Sequence, residues 1–151
     1  MKEIYGDLIE LAKEGKFNVI AHGCNCFCTM GHGIAATIKM SFPEVWYADQ
    51  KTKKGDRNKL GTILPVKIHE NLTVVNIYTQ FEFGGFGRPI HADYNAIKHG
   101  LKELKRQFSG KSIGLPLIGA GLAGGDWILI KAIIEKELEN EDVTIVYWKK
   151  N

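Results

Sequence analysis

Residues 112–139 read SIGLPLIGAGLAGGDWILIKAIIEKELE, and this stretch decides the fold. Its first six residues are largely apolar and predict a buried strand, and a loop with four glycines follows over 118–126. A helix is predicted over 127–139, where apolar residues recur at helical spacing at Ile130, Ile133, Ile134 and Leu138. A strand, a loop and an amphipathic helix in this order form the repeating unit of layered α/β domains. The stretch therefore predicts an α/β fold.

The rest of the chain repeats this alternation. Runs rich in valine and isoleucine predict six strands, near 2–5, 17–22, 62–68, 72–78, 112–117 and 143–148. Helical patterns predict five helices, near 8–14, 33–42, 43–53, 91–107 and 127–139. Pro43 suits the first turn of the third helix, and the charged segment Lys51–Lys59 is interpreted as a solvated connector. No linker or internal repeat divides the sequence, so we predict one domain over residues 1–151.

Length and composition agree with this prediction. The chain has 151 residues, of which 44% are hydrophobic, and that composition excludes intrinsic disorder. Its 20 Lys and Arg residues exceed its 17 Asp and Glu residues by three, a balance too mild to predict a polyanion-binding protein by itself. No apolar run approaches the roughly 18 residues of a membrane span, and the first seven residues lack the apolar core of a signal peptide. We expect a cytoplasmic protein without membrane contact, and a monomer.

The three cysteines, Cys24, Cys26 and Cys28, lie within five residues of each other. An odd number at this spacing cannot build a disulfide framework. Structural zinc sites usually use paired knuckles, whereas strict alternation on an extended segment spaces the thiols along one face. Buried or half-buried reduced thiols are therefore favoured over a metal site or a nucleophilic cysteine. We expect neither a metal nor another cofactor.

Glycine is concentrated in three loops, at 22–33, 81–89 and 118–126. Each loop follows a predicted strand and precedes a predicted helix. Ligands of open α/β sheets bind at the carboxyl ends of the strands, so the three loops could share one crevice. Glycines let backbone N–H groups approach an anion, and the following helix adds its positive amino-terminal end. A cradle for a phosphate or diphosphate is therefore expected, and an ordinary tight connection is the alternative for any one loop.

Two motif matches fail on their context. Gly119-x-Gly121-x-x-Gly124 fits the dinucleotide-binding fingerprint, but the strand that follows ends in Tyr147-Trp148-Lys149-Lys150 and lacks the acidic residue that holds the ribose. Ser109-Gly110-Lys111-Ser112 is similar to the end of a P-loop, but Lys105 occupies the position of its first glycine. NAD-dependent redox chemistry and P-loop hydrolysis are therefore excluded.

Four polar residues near the loops could carry chemistry. His22 could act as acid, base or nucleophile near neutral pH, or it could be a core histidine hydrogen-bonded to backbone. Asn25 could orient a sugar hydroxyl. Asp126 precedes a predicted helix and is a natural N-cap, and it could contribute to catalysis or ligand contact in addition. Asp7 likewise has the position of an N-cap.

Three phenylalanines, Phe81, Phe83 and Phe86, lie among the glycines of the second loop. Their spacing fits neither a strand nor a helix. They either pack locally within the loop or form a flat wall for a ribose or a base.

Three motifs follow one another along the chain: Gly6-Asp7-Leu8 after the first strand, Met30-Gly31-His32-Gly33-Ile34-Ala35, and the segment 115–122. Their order and spacing resemble those of a macro domain, the ADP-ribose-binding module. The resemblance covers essentially the whole chain. It implies a three-layer α/β/α fold with a mixed sheet of about six strands, in agreement with the strand count.

Within that family the chain most resembles the small ADP-ribose-1″-phosphate phosphatases, through residues 21–26, Phe42-Pro43 and residues 78–85. The terminal ADP-ribose glycohydrolases and the DNA-ADP-ribose-removing antitoxins are similar in residues 30–35 and in Asp126-Trp127.

Two positions depart from the glycohydrolase branch. A lysine there follows the strand-end threonine and attacks the sugar, whereas this chain has Gln80. The same branch can place an acid in the third loop, where this chain has Ala123. Lysine-type glycohydrolase chemistry is therefore not expected.

The resemblance also implies site residues. Asp7 would bind the adenine amino group, Leu8 the ring edge, and Asn25 the distal ribose. Together with the residue analysis above, the candidate catalytic residues are His22, Asn25 and Asp126. The implied ligand-binding residues are Asp7, Leu8, Gly31, His32, Gly33, Ile34, Ala35, Phe83, Ile118, Gly119, Ala120, Gly121, Leu122 and Ala123.

The resulting first hypothesis is a metal-independent phosphatase that hydrolyses ADP-ribose-1″-phosphate, with His22 as nucleophile or general acid and base. The alternatives are an ADP-ribosyl hydrolase that acts on protein or nucleic acid, and a non-catalytic ADP-ribose reader. The expected partners are accordingly ADP-ribose or a derivative, and ADP-ribosylated macromolecules.

Overall fold

The computed structural model describes residues 1–84 and 90–149, which form one six-stranded sheet with helices on both faces. The elements in chain order are β1 (Lys2–Gly6), α1 (Leu8–Lys13), β2 (Val19–Cys24), α2 (Gly33–Ser41), α3 (Pro43–Gln50), a short 3-10 helix (Arg57–Lys59), β3 (Ile63–His69), β4 (Leu72–Tyr78), α4 (Tyr94–Phe108), β5 (Ser112–Leu115), α5 (Trp127–Glu137) and β6 (Asp142–Trp148). In the described part of the chain, no helix is long and apolar enough to cross a membrane.

The strands lie in the order β1-β6-β5-β2-β4-β3. Neighbouring strands are parallel except for β3, which pairs antiparallel with β4 at the edge of the sheet. The sheet is therefore mixed and six-stranded, which confirms the predicted fold class.

Side chains that alternate along the strands build two cores, one on each face. Val19 and Ala21 of β2 belong to the core that packs against α4 and α5, whereas Ile20 belongs to the core that packs against α1, α2 and α3. Ile130 and Ile134 of α5 are fully buried, and each such side chain contributes about 1.5–3 kcal/mol through its removal from water. The two cores produce the three-layer arrangement.

The topology brings the glycine loops together. Strands β5, β2 and β4 are adjacent and parallel, so their carboxyl ends meet at one edge of the sheet. The three glycine loops follow these strands, after Leu115, Cys24 and Tyr78. One edge of the sheet therefore carries all three loops, as a shared crevice requires.

Some predicted boundaries and one predicted environment are wrong. β2 continues to Cys24, so His22 lies inside the strand and pairs in register with Asn76 of β4. The segment Lys51–Lys59 is not a fully solvated connector, because Lys59 is 8% exposed. Its ammonium donates to the Cys26 carbonyl at 3.1 Å and to the Thr52 hydroxyl at 2.8 Å.

Candidate functional site

Two cavities meet end to end at the edge of the sheet that carries the glycine loops. The first, of about 630 Å³, lies over the ends of β1 and β6 and is here called the β1–β6 cavity. The second, of about 240 Å³, lies between the loops and is here called the glycine-loop cavity. Both are lined by the same four residues at their junction, Gly33, Ile34, Pro116 and Leu117. They therefore form one elongated cleft.

The β1–β6 cavity combines one carboxylate with flat aromatic walls. Asp7 caps α1, and its Oδ1 accepts hydrogen bonds from the backbone N–H groups of Ile9 at 3.0 Å and Glu10 at 3.2 Å. Both bonds use the same oxygen, so Oδ2 is left to accept from a ligand. Tyr5 and Trp148 line the cavity at the ends of β1 and β6 and are 73% and 71% exposed. This environment suits a planar heterocycle with an amino group.

Asn25 braces the loop at the other end of the cleft. Its amide nitrogen donates to the backbone oxygen of Thr29 at 3.1 Å and to the Thr29 hydroxyl at 2.7 Å, and its Oδ1 accepts from the Phe27 N–H at 2.8 Å. Both amide hydrogens are therefore used inside the loop. One lone pair on Oδ1 remains, and it can accept a hydrogen bond from a hydroxyl group in the glycine-loop cavity.

The junction of the cavities lies at the amino-terminal end of α2. His32 is the N-cap residue of this nine-residue helix, but its side chain makes no capping hydrogen bond. The first N–H groups of a helix lack partners within the helix and carry its positive dipole end, and they attract anions. Gly33 at this position has φ +59°, a conformation that favours glycine.

The third loop folds tightly against the cleft. The N–H group of Gly125 donates to the Gly119 carbonyl at 2.8 Å, and a Cβ atom added at Gly125 would lie 2.6 Å from that oxygen. Gly121, at the tip, has open space around it and lines the glycine-loop cavity. This loop therefore borders the glycine-loop cavity, which Gly33 at the start of α2 also lines.

Few ionisable groups line the glycine-loop cavity. Among its described lining residues, only Cys24 and His32 carry ionisable side chains, and none is a carboxylate, lysine or arginine. Burial raises the pKa of the Cys24 thiol well above its usual value, so this group stays neutral. His32 is exposed in the cleft. It is therefore the side chain best placed to exchange protons with a ligand there.

His22 is not in the cleft. Its imidazole is fully buried and absent from the lining of both cavities, and its Nε2 lies 2.6 Å from the side-chain oxygen of Asn76. Burial lowers its pKa to about 4, so it is neutral near pH 7. This position does not favour the expected role of His22 as nucleophile or acid–base group, because the imidazole has no exposed surface in the structure. His22 instead matches the alternative interpretation, a core histidine, although its hydrogen-bond partner is the Asn76 side chain and not the backbone.

Asp126 and Ala120 are also outside the described lining of the cleft. The Asp126 carboxylate caps α5 by accepting from the N–H groups of Ile128 at 3.0 Å and Leu129 at 3.4 Å. Ala120, a residue of the third loop, packs against the core that contains α4 and α5. Asp126 therefore serves as a helix cap and Ala120 as a packing residue, and their contact with a ligand remains a prediction.

The phenylalanines of the second loop divide between the two interpretations. Phe81 packs edge-on against Phe27 with ring centroids 4.9 Å apart, whereas Phe83 lines the glycine-loop cavity. Phe86 lies outside the described residues, as does the rest of 85–89.

The other predicted site residues line the cleft, and their contact with a ligand remains a prediction. They are Asp7, Leu8, Asn25, Gly31, His32, Gly33, Ile34, Ala35, Phe83, Ile118, Gly119, Gly121, Leu122 and Ala123. Sequence reasoning missed Tyr5, Trp148, Thr29 and Gln80. Aromatic residues at the ends of two predicted strands were the available signal for Tyr5 and Trp148.

A buried polar cluster supports the first loop from behind. The Tyr78 hydroxyl donates to Asp49 Oδ1 at 2.6 Å, and both residues are almost completely buried. Burial raises the pKa of Asp49. The Lys59 ammonium lies 4.9 Å from the centre of the Tyr78 ring and holds the Cys26 carbonyl of the loop. All three cysteines are free, Cys24 and Cys26 are buried, and Cys28 is half-buried.

Comparison with known proteins gives relatives that match over most of this chain, although no protein-family model matches it. An uncharacterized 17.5 kDa protein of Enterobacteria phage T4 is 35% identical over 157 residues, which cover 99% of this chain and 97% of that protein. An ADP-ribose 1″-phosphate phosphatase of Candida albicans is 28% identical and covers 82% of this chain and 85% of its own. A DNA ADP-ribosyl glycohydrolase of Thermus aquaticus is 26% identical over 92% of this chain, which spans only 38% of that protein.

Solved structures with the same fold match the chain over nearly its whole length. A Bacteroides thetaiotaomicron protein matches with a TM-score of 0.82 and 26% identity, over 100% of this chain and 99% of that one. The macrodomain of Thermus aquaticus DarG matches with a TM-score of 0.74 and 22% identity, over 98% and 97% of the two chains. Thermosipho africanus DarTG in complex with ADP-ribose matches with a TM-score of 0.70 and 15% identity, over 99% of this chain and 42% of that one.

Proposed function

This chain has the fold of the macrodomains, and from that premise we propose that it binds ADP-ribose along the cleft and removes a substituent from C1 of the distal ribose. The observation that carries the proposal is the joining of two chemically different cavities at one edge of the sheet. One suits a planar base, and the other is surrounded by glycine loops. Their junction at the amino-terminal end of α2 suits the diphosphate between them.

The adenine end of the ligand fits the β1–β6 cavity. The free oxygen of the Asp7 carboxylate accepts from the adenine amino group, and the backbone of Leu8 borders the ring. Tyr5 and Trp148 cover the base with aromatic surface that is otherwise exposed to water.

The distal ribose then lies in the glycine-loop cavity. Asn25 Oδ1 accepts from a ribose hydroxyl, and His32 is within the same cavity as acid–base group. His32 takes the place that sequence reasoning assigned to His22. Backbone N–H groups of the glycine loops stabilise negative charge that develops in the transition state.

The substituent that this site handles best is a phosphate. Glycoside hydrolysis usually employs two carboxylates, and the described lining of the glycine-loop cavity has none. Phosphoryl transfer depends mainly on positioning and on electrostatic stabilisation, which backbone amides and one histidine can supply. We therefore propose hydrolysis of ADP-ribose-1″-phosphate to ADP-ribose and phosphate as the first reaction. The named activity of the Candida albicans relative supports this choice.

Removal of ADP-ribose from a macromolecule is the second candidate. The observation that favours it is the basic segment 51–59, KTKKGDRNK, which is hydrogen-bonded to the first glycine loop beside the glycine-loop cavity. Gln80 cannot act as an amine nucleophile, and its side-chain nitrogen donates to the Glu82 carbonyl at 2.7 Å. This reaction would therefore need chemistry other than a lysine Schiff base.

The proposal is tested by phosphate release from ADP-ribose-1″-phosphate in the presence of a chelator, with calorimetry of ADP-ribose binding in parallel. Wild type should bind ADP-ribose and release phosphate from ADP-ribose-1″-phosphate. His32→Ala should still bind ADP-ribose but should no longer release phosphate. His22→Gln is the matched control, because it removes an imidazole outside the cleft, and it should retain release. Binding without release by wild type would reject the phosphatase and leave the second candidate or a reader. Failure to bind ADP-ribose would reject the proposed function as a whole.

A further inference from the structure

A short segment before α4, His91-Ala92-Asp93, is hydrogen-bonded to two parts of the cleft and is here called the strap. The N–H groups of His91 and Ala92 both donate to the Ala123 carbonyl of the third loop, at 2.9 and 3.2 Å. The N–H group of Asp93 donates to the Thr79 carbonyl at 2.9 Å, directly after β4. The backbone of the strap is therefore fixed to the third loop and to the end of a strand.

The side chain of His91 extends from the strap to the second loop. Its Nε2 lies 2.7 Å from the Gly84 carbonyl oxygen. A carbonyl oxygen only accepts hydrogen bonds, so the imidazole carries a proton on Nε2 and donates it to this oxygen. Gly84 has φ +90°, in the left-handed region that favours glycine. The second loop thus turns at a glycine and is held at that turn by the His91 imidazole.

The residue before this turn is an open aromatic ring. Phe83 lines the glycine-loop cavity and is 49% exposed, and its ring centroid lies 6.2 Å from that of Phe27 in the first loop. Gly84 and Ala123 line the same cavity. His91 is absent from the described lining, yet its contacts join two walls of the cavity.

We propose that His91 is a positioning residue that gives the cleft its preference for ADP-ribose over ADP. It acts through the Gly84 carbonyl, which holds Phe83 beside the distal ribose before a ligand arrives. A loop that already has its bound conformation loses less entropy on binding, and the gain in affinity appears only for ligands that touch the loop. The adenine and the diphosphate bind elsewhere in the cleft, so ADP gains nothing from the bond.

The inference rests on the proposed function for the position of the ligand, whereas the hydrogen bond itself does not depend on it. A role of His91 in stability alone would change the binding of ADP and ADP-ribose equally. The ratio of the two affinities is therefore the quantity that separates positioning from stability.

Calorimetry with ADP-ribose and with ADP measures this ratio. His91→Leu should bind ADP-ribose about tenfold more weakly and should bind ADP like wild type. His91→Gln should restore most of the preference, because glutamine carries an N–H donor at a similar distance along its side chain. Phe83→Ala should lose the preference as well. Adding His91→Leu to Phe83→Ala should cause no further loss, since the two residues act as one unit.

The matched control is His69→Leu. His69 is an exposed histidine on β3, outside the lining of both cavities, and its Nδ1 accepts a hydrogen bond from the Asn71 N–H at 3.1 Å. The control therefore also removes an imidazole that is hydrogen-bonded to backbone. It should bind ADP-ribose and ADP like wild type.

The hydrogen bond is tested without any ligand by long-range proton–nitrogen correlation spectra of the imidazole rings at neutral pH. His91 should be the tautomer with its proton on Nε2, and a proton on Nδ1 instead would overturn the inference whatever the ligand data show. An unchanged affinity ratio in His91→Leu would also overturn it and leave the proposed function intact. Wild type that binds neither ADP-ribose nor ADP would instead overturn the proposed function, and the preference assigned to His91 would fall with it.

Discussion

The Nε2 atom of His22 lies 2.6 Å from the side-chain oxygen of Asn76, across the parallel pair of strands β2 and β4. An amide oxygen only accepts, so this contact places the proton of the neutral imidazole on Nε2. Both side chains are fully buried in the sheet. A histidine that must remain neutral makes the folded state sensitive to acid.

Acidification should destabilise the wild type more than His22→Gln. The pKa of His22 falls from 6.5 to about 4 on folding, so the unfolded chain binds one more proton between these values. Stability is therefore full above pH 6.5 and declines as the pH falls towards 4, by about 1.4 kcal/mol per pH unit and about 3 kcal/mol in all. Urea unfolding at a series of pH values measures this. His99→Gln, which removes an exposed imidazole, should keep the wild-type slope, and an unchanged slope in His22→Gln would contradict the assignment.

Loss of the Tyr78 hydroxyl should destabilise the protein. It donates to the buried carboxylate of Asp49 at 2.6 Å, and Tyr78→Phe leaves that carboxylate without this donor. We expect a loss of about 1–3 kcal/mol in the free energy of unfolding at pH 7. Tyr47→Phe is the control, because Tyr47 is exposed and its hydroxyl makes no hydrogen bond to a described residue. Equal stability of the two variants would show that the Asp49 contact contributes nothing.

Periodicity and glycine placement were sufficient to predict the α/β class and the meeting of the three glycine loops, whereas most individual residues of the cleft came from the family resemblance. Strand and helix periods are local, and β5, β2 and β4 bring their loops to one edge whatever the details of the side chains. The errors have nonlocal causes. Whether His22 faces a cavity or a helix layer depends on where β2 ends and what packs on it, and a change of one residue reverses the face.

Charge was misread for a similar reason. The net charge of +3 averages over the surface, whereas the structure fixes a +4 segment beside one end of the cleft and buries Lys59 within it. Asp126 illustrates the opposite case, since an aspartate before a helix is identifiable as a cap from sequence, and its carboxylate makes those bonds. The added catalytic role was inferred from the position of Asp126 beside the third glycine loop, and a local pattern does not say which way the free carboxylate oxygen points.

Gly125 and Gly121 should respond differently to alanine. A methyl group at Gly125 would lie 2.6 Å from the Gly119 carbonyl and 2.8 Å from Ile130, whereas one at Gly121 would meet nothing within 4 Å. Gly125→Ala should therefore lower stability by about 1–3 kcal/mol, and Gly121→Ala should leave it nearly unchanged. Thermal unfolding distinguishes them. Comparable Tm values would mean that the third loop can shift to accept the methyl group.

Asp7 has two separable functions, and its variants should separate them. Asp7→Asn keeps an oxygen that can cap α1, so stability should hold, but an amide attracts the adenine amino group less than a carboxylate does. Calorimetry should give an ADP-ribose affinity about tenfold lower, which corresponds to about 1.4 kcal/mol. Asp7→Ala should lose the cap as well, at a cost of about 1 kcal/mol of stability.

The matched control is Asp126→Asn, a cap substitution on α5 outside the lining of the cleft, which should bind ADP-ribose like wild type. If Asp7→Asn also bound like wild type, the base would not lie against this carboxylate, and the orientation of the ligand along the cleft would have to be reversed.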